Sequence, residues 1–161
     1  MHRDFKELFA CLNAEGVRYL VVGGYAVSLH AEPRATKDLD ILVDPAPDNA
    51  VALFRALAAF GAPLEGTTPE SFIQPGSFFR MGVPPMMVDI LPNIAGINFQ
   101  EAWGRRVQAA IDPQTGLNAH FISAADLMAA KLASGRAQDL ADAEALRAAQ
   151  QTKADRQPKT E

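Results

Sequence analysis

The sequence predicts an α/β (α+β) domain, a sheet flanked by helices and closed by a short C-terminal helical pair. Three observations carry this. Val17-Arg18-Tyr19-Leu20-Val21-Val22 is a β-branched and aromatic run without helical spacing, which reads as a buried strand, and Gly23-Gly24 ends it. Phe5, Leu8, Phe9 and Leu12 recur at i, i+3, i+4 and i+7, the stripe of an amphipathic helix. Asp38-Leu39-Asp40-Ile41-Leu42-Val43 sets carboxylates against apolar residues with the period of a strand.

The elements follow in order. A first helix covers about residues 3–15 and stops at Gly16. After the strand and its glycine pair, Tyr25 to Ala31 forms a short helix, and Pro33 separates it from the strand Asp38 to Val43. Val51, Phe54, Leu57 and Ala58 mark one side of a helix over about 47–60 that stops at Gly61. Pro75-Gly76 reads as a turn between strands around Phe72-Ile73 and Phe78-Phe79-Arg80, and Met86 to Leu91 is a further strand with Asp89 on the face of Met87 and Leu91. Weaker strand signals lie near Val107 to Ile111 and His120 to Ile122. Ser123-Ala124-Ala125-Asp126 has the Ser-x-x-acid pattern that caps a helix, and helices over 123–134 and 136–149 are broken at Ser134-Gly135.

The chain has 161 residues, 48% of them apolar and 21% charged, a composition ordinary for one folded domain. That domain is expected over 1–149, with the N-terminal helix 3–15, an α/β core 17–122 and C-terminal helices 123–149. Residues 150–161 are too polar to pack and are expected to be a disordered tail. The opening Met-His-Arg-Asp-Phe-Lys lacks the apolar core of a signal peptide, and no apolar run approaches the roughly 18 residues of a membrane span, so no membrane partner and a cytoplasmic location are expected. Cys11 is the only cysteine, which excludes an intrachain disulfide and a cysteine-clustered zinc site. A net charge of −4 argues against an extended DNA-binding surface. His30 and His120 are too scattered for a metal motif.

Asp38 and Asp40 share one face of their strand, where each would be driven towards its neutral form by the other unless a cation sits between them. Leu39, Ile41 and Val43 place that strand in the interior, and Asp89 between Val88 and Ile90 repeats the anomaly. Hard oxygen donors suit Mg²⁺, with Mn²⁺ an alternative. Gly23-Gly24 lets backbone approach a ligand, and the following helix N-terminus presents N–H groups to phosphate. Together these residues describe a nucleoside triphosphate held by glycines with its metal held by acids.

In this combination the chain resembles the DNA polymerase β-like nucleotidyltransferase superfamily, whose motif is a glycine pair, then acid-x-acid on a strand, then a third acid on a neighbouring strand. Val22-Gly23-Gly24, Thr36-Lys37-Asp38-Leu39-Asp40-Ile41 and Val88-Asp89-Ile90 match it over most of residues 17–146. Arg34-Ala35-Thr36-Lys37-Asp38-Leu39-Asp40 is similar to the small bacterial nucleotidyltransferases related to abortive-infection toxins. The resemblance implies a mixed β-sheet, a two-metal site at Asp38, Asp40 and Asp89, and transfer of a nucleoside monophosphate from an NTP to an acceptor hydroxyl on protein, tRNA or a small molecule. It implies nucleotide contacts from Gly23, Gly24, Arg34, Thr36 and Lys131, a catalytic acid at Asp139, and a toxin–antitoxin role with an antitoxin partner or a homodimer.

From the residues alone, Lys131 lies on an apolar helix face beside Leu127, Met128 and Leu132, where it either meets an anion or snorkels to solvent. Asp139, with Asp142 one turn on, either completes the site or pairs with Lys131 or Arg136. Two other functions compete. One is a non-catalytic or partner-dependent nucleotide-binding protein of the same fold. The other is a Rossmann-type dinucleotide binder with Asp44 as ribose ligand, although Gly-x-Gly-x-x-Gly is absent.

Overall fold

A computed structural model describes residues 1–158. Helix α1 (Arg3–Ala14) leads to β1 (Tyr19–Val22), α2 (Gly23–His30), β2 (Leu39–Val43) and α3 (Pro47–Phe60). There follow β3 (Phe79–Val83), β4 (Met86–Leu91), α4 (Phe99–Gly104), β5 (Val107–Asp112), β6 (Leu117–Phe121), α5 (Ala124–Ser134) and α6 (Ala137–Arg156). The strands form one mixed six-stranded sheet in the order β3-β4-β2-β1-β6-β5. β1 runs antiparallel to β2 and parallel to β6, and β2 runs parallel to β4.

The apolar stripe of α1 buries Phe5, Leu8, Phe9 and Leu12, and α1 packs against α3, while α2 packs against α5 and α6. Leu20, Val21, Leu39, Ile41 and Leu42 are buried with them, so β1 and β2 are covered on both faces, as the apolar run of β1 requires and as β2 allows everywhere but at Asp40. Caps punctuate the helices. Pro47 opens α3 and Gly61 closes it at φ +92°, and the Ser123 side chain accepts from the Asp126 amide at the start of α5. None of the described helices is long and apolar enough to cross a membrane.

Two local expectations are corrected and one helix is unforeseen. Around Phe72-Ile73 there is a 3₁₀ turn (Pro69–Phe72) instead of a strand, because Pro69 and the reciprocal Thr68/Ser71 cap fix a helical turn that drops Phe72 onto Phe54 and Phe79. α4 carries no sequence signal, since six residues are too few to display a period; Asn98 caps it and Phe99 and Ala102 bury it. The last helix runs on to Arg156, so residues 150–156 are helical, held by backbone propensity with their side chains outward, and not a coil tail. The remainder of the expected tail, residues 159–161, lies outside the described residues.

Candidate active site

Sheet register assembles the site. Val22 of β1 stands beside Asp40 of β2, Asp40 beside Asp89 of β4, and Asp89 beside Arg80 of β3. Paired residues share a face, so Asp40, Asp89 and Arg80 form one transverse row across adjacent strands. Asp38 precedes β2 by one residue and is about half exposed, whereas the side chain of Asp89 is 15% exposed.

The glycine pair is explained by what lies against it. Gly23 has φ +66°, and a Cβ there would collide with Oδ2 of Asp40; a Cβ on Gly24 would stand 2.5 Å from Oγ1 of Thr36. Only glycines let the chain turn from β1 into α2 with the Asp40 carboxylate and Thr36 hydroxyl pressed onto that turn. Val22 caps α2 without any side-chain hydrogen bond, so the start of the helix faces the acids uncapped. Beside it lies a polar hollow of about 460 Å³ lined by Gly24, Arg34, Thr36, Asp38 and Asp40 among others. A second hollow of about 290 Å³ shares Gly23, Asp40, Lys131, Arg136 and Asp139 with the first and continues to Leu91, Ile94 and Leu127. The result is a groove with a polar arm and an apolar arm meeting at Asp40 and Lys131.

Its electrostatics are unbalanced. Burial, then the neighbouring Asp89 and Asp38, push the Asp40 carboxyl up to about 6, against partial relief from Lys131 and Arg80. Burial and Asp38 raise Asp89 as well, with Arg80 opposing. The Arg80 guanidinium reaches Asp38 Oδ2 at 3.4 Å through one terminal nitrogen and lies 3.6 Å from Asp89 Oδ1 through Nε. The second contact exceeds hydrogen-bond range, and Asp89 Oδ1 is buried without a partner.

Three carboxylates, one of them carrying an orphaned oxygen, are the donor chemistry of a hard divalent cation. Among the described residues no three His, Cys, Asp or Glu side chains are already drawn together as a ligand set, and Asp38 is engaged by Arg80 instead. The residues thus fit such a cation by type and by the unmet bonding of Asp89, with Asp38 turned to Arg80.

Lys131 does not snorkel. Its Nζ lies 3.2 Å from Asp139 Oδ1 and 3.0 Å from Asp142 Oδ2, with only 12% of the side chain exposed. Burial alone would raise Asp139, but hydrogen bonds from Arg136, Ser134 and Lys131 prevail and hold it at about 2. Arg34 donates to Asp142 at 3.3 Å and Gln138 to its other oxygen at 3.0 Å. Sequence therefore named both partners of Lys131, but these pairs are buried and shared, unlike surface pairs on one helix. Arg80 it left as an ordinary strand residue. The signal was the hairpin: folding Phe79–Val83 back on Met86–Leu91 about the prolines puts Arg80 beside Asp89.

Asp44 is not free to bind ribose. It accepts from Arg18 Nε at 2.7 Å, Gln100 at 3.0 Å and the Ala46 amide at 3.1 Å, which tie the end of β2 to the residue before β1, to α4 and to the start of α3. Antiparallel β1 and β2 also depart from the parallel βαβ unit that a dinucleotide fold requires.

The model of a family described as "Nucleotidyltransferase of unknown function (DUF6036)" matches residues 3–156. The chain belongs to this family. The match to these nucleotidyltransferases takes in the whole row of acids, the glycine turn and the Lys131 cluster. No curated protein matches the chain.

Proposed function

We propose that the protein transfers a nucleoside monophosphate from an NTP to an acceptor hydroxyl, releasing pyrophosphate in a Mg²⁺-dependent reaction. The observation that carries this is the Asp40–Asp89 row: adjacent buried carboxylates, one with an orphaned oxygen, beside a glycine turn and an uncapped helix start. Asp38, Asp40 and Asp89 would hold the metal, Mg²⁺ or Mn²⁺, in a two-metal arrangement, and bound metal neutralises charge on the phosphates in transfer. Asp89 also stands ready to take a proton from the attacking hydroxyl. The amides of Gly23 and Gly24 with Arg34 and Thr36 bind the triphosphate from the polar arm, and Lys131 offsets its charge. The apolar arm at Leu91, Ile94 and Leu127 receives the base. Asp139 orients Lys131.

The pKa of Asp40 supports the same reading, since a carboxyl held up at about 6 by other carboxylates is relieved by a cation. The toxin role stays with the motif Arg34–Asp40 and with the pairing of Lys131 and Asp139. Labelled NTPs with Mg²⁺ and cell lysate test the reaction, protease or RNase treatment of the product identifying the acceptor. Asp38→Ala/Asp40→Ala is expected to abolish labelling while keeping its circular dichroism. Equal labelling by the double variant overturns the assignment.

A further inference from the structure

Among the described residues Arg80 is the one side chain that contacts two of the three site acids, and it does so from β3, a strand at one edge of the sheet. Its geometry is poor for a structural ion pair. The contacts of 3.4 and 3.6 Å are long for a guanidinium between two carboxylates, and Asp89 Oδ1 remains without a hydrogen bond. Nearly half of the arginine side chain is exposed, so it can leave towards solvent with no gap opened in the core. Elsewhere in this protein buried acids are gripped closely: Asp44 by Arg18 at 2.7 Å and Asp139 by Arg136 at 2.7 Å. Arg80 stands out as a loose cation over acids that need a tight one.

We infer that Arg80 is a resident counter-cation that occupies the divalent-metal position between Asp38 and Asp89 and is exchanged for the metal when it binds. The inference rests on the nucleotidyl-transfer reading of the acids. Without the guanidinium, Asp38 and Asp89 would stand together with no cation in contact, since Lys131 relieves only Asp40, and the empty site would splay. With it the row is preassembled, at the expense of metal affinity, because the cation binds only the fraction of molecules from which Arg80 has withdrawn.

The test is Mg²⁺ and Mn²⁺ binding by calorimetry, without nucleotide, to the wild type, Arg80→Gln, Arg80→Lys and Asp89→Asn. If Arg80 fills the site most of the time, Arg80→Gln binds metal about tenfold more tightly, the factor by which a state occupied roughly nine-tenths of the time lowers apparent affinity. Arg80→Lys, which keeps the charge but loses the fork that spans two carboxylates, falls between the two. In a ¹H–¹⁵N spectrum the Arg80 Nε–H signal, identified by its absence from Arg80→Lys, shifts during a Mg²⁺ titration of the wild type. Unchanged or weaker metal binding by Arg80→Gln overturns the exchange, as does an Arg80 signal that stays put at saturating Mg²⁺. Should the wild type bind no metal, or bind it as well as Asp89→Asn does, the metal reading of the acids fails instead and the exchange with it.

Discussion

Asp40 concentrates the chemistry of this protein in one side chain. It is placed by β2, pressed onto Gly23, and crowded by Asp89 and Asp38, and its carboxyl holds a proton up to about pH 6 in the folded chain against 3.8 ordinarily. The native state therefore binds more protons than the unfolded chain between those values, and stability falls as pH rises through them. Two pKa units correspond to roughly 3 kcal/mol, which partial exposure and solvent relaxation reduce to about 1–3 kcal/mol. In a chelator at pH 7.5, Asp40→Asn is expected to raise Tm by several degrees, and by pH 4 the two proteins should melt together. Mg²⁺ should stabilise the wild type above pH 6 and leave Asp40→Asn unmoved. A variant less stable than wild type in chelator at pH 7.5 would contradict the raised pKa. Sequence alone showed that Asp38 and Asp40 share a face, because strand alternation demands it. It could not show that Arg80 joins them, since that depends on the register of the β3–β4 hairpin, which one arginine among Phe79 and Met81 does not announce.

At the scale of elements, α5 and α6 carry a charge cluster beside their buried apolar residues Leu127, Ala130, Ala143 and Leu146. Lys131 of α5 is shared by Asp139 and Asp142 of α6, and Arg34, arriving from the loop before β2, holds Asp142 as well. Removing the lysine leaves two carboxylates, with exposures of 3% and 4%, to Arg136 on one and to Arg34 and Gln138 on the other. Lys131→Met is expected to cost about 1.5–3 kcal/mol in urea unfolding, the range for losing hydrogen bonds to charged groups. A Lys131→Met protein as stable as wild type would make the cluster superficial. Helices were the most readable elements: α1 buries the stripe read for it and α3 ends at its glycine, although α3 buries Ala50, Leu53, Ala56 and Leu57 and leaves Val51 and Ala58 of the expected face exposed. The short α4 and the 3₁₀ turn at Pro69 were not legible, because their structure comes from Asn98 and Thr68 capping and from Phe72 meeting Phe54 and Phe79 across the fold. α6 outran its expected end because nothing between Arg147 and Pro158 breaks a helix, while the sequence criterion asked for burial it does not need.

For the whole molecule, strand order assembles the candidate site. Placing β2 between β1 and β4 sets Asp40 between the glycine turn and Asp89, elements far apart in sequence, with Gly23 and Asp40 on one side of a groove whose other wall is α5 and the start of α6. Their types and approximate faces were legible, and so was the superfamily they resemble; the row itself required the parallel β2–β4 pairing, a long-range choice no local pattern encodes. The central claim is that this groove moves a nucleotidyl group rather than a terminal phosphate. It is tested most directly by offering the purified protein, with Mg²⁺ and a lysate supplying the acceptor, NTP labelled at the α-phosphate in one reaction and at the γ-phosphate in another. Nucleotidyl transfer places the α-label on the acceptor and the γ-label in pyrophosphate, both lost in Asp38→Ala/Asp40→Ala. Transfer of the γ-label to the acceptor, or release of it as inorganic phosphate with no α-label incorporated, would contradict the account.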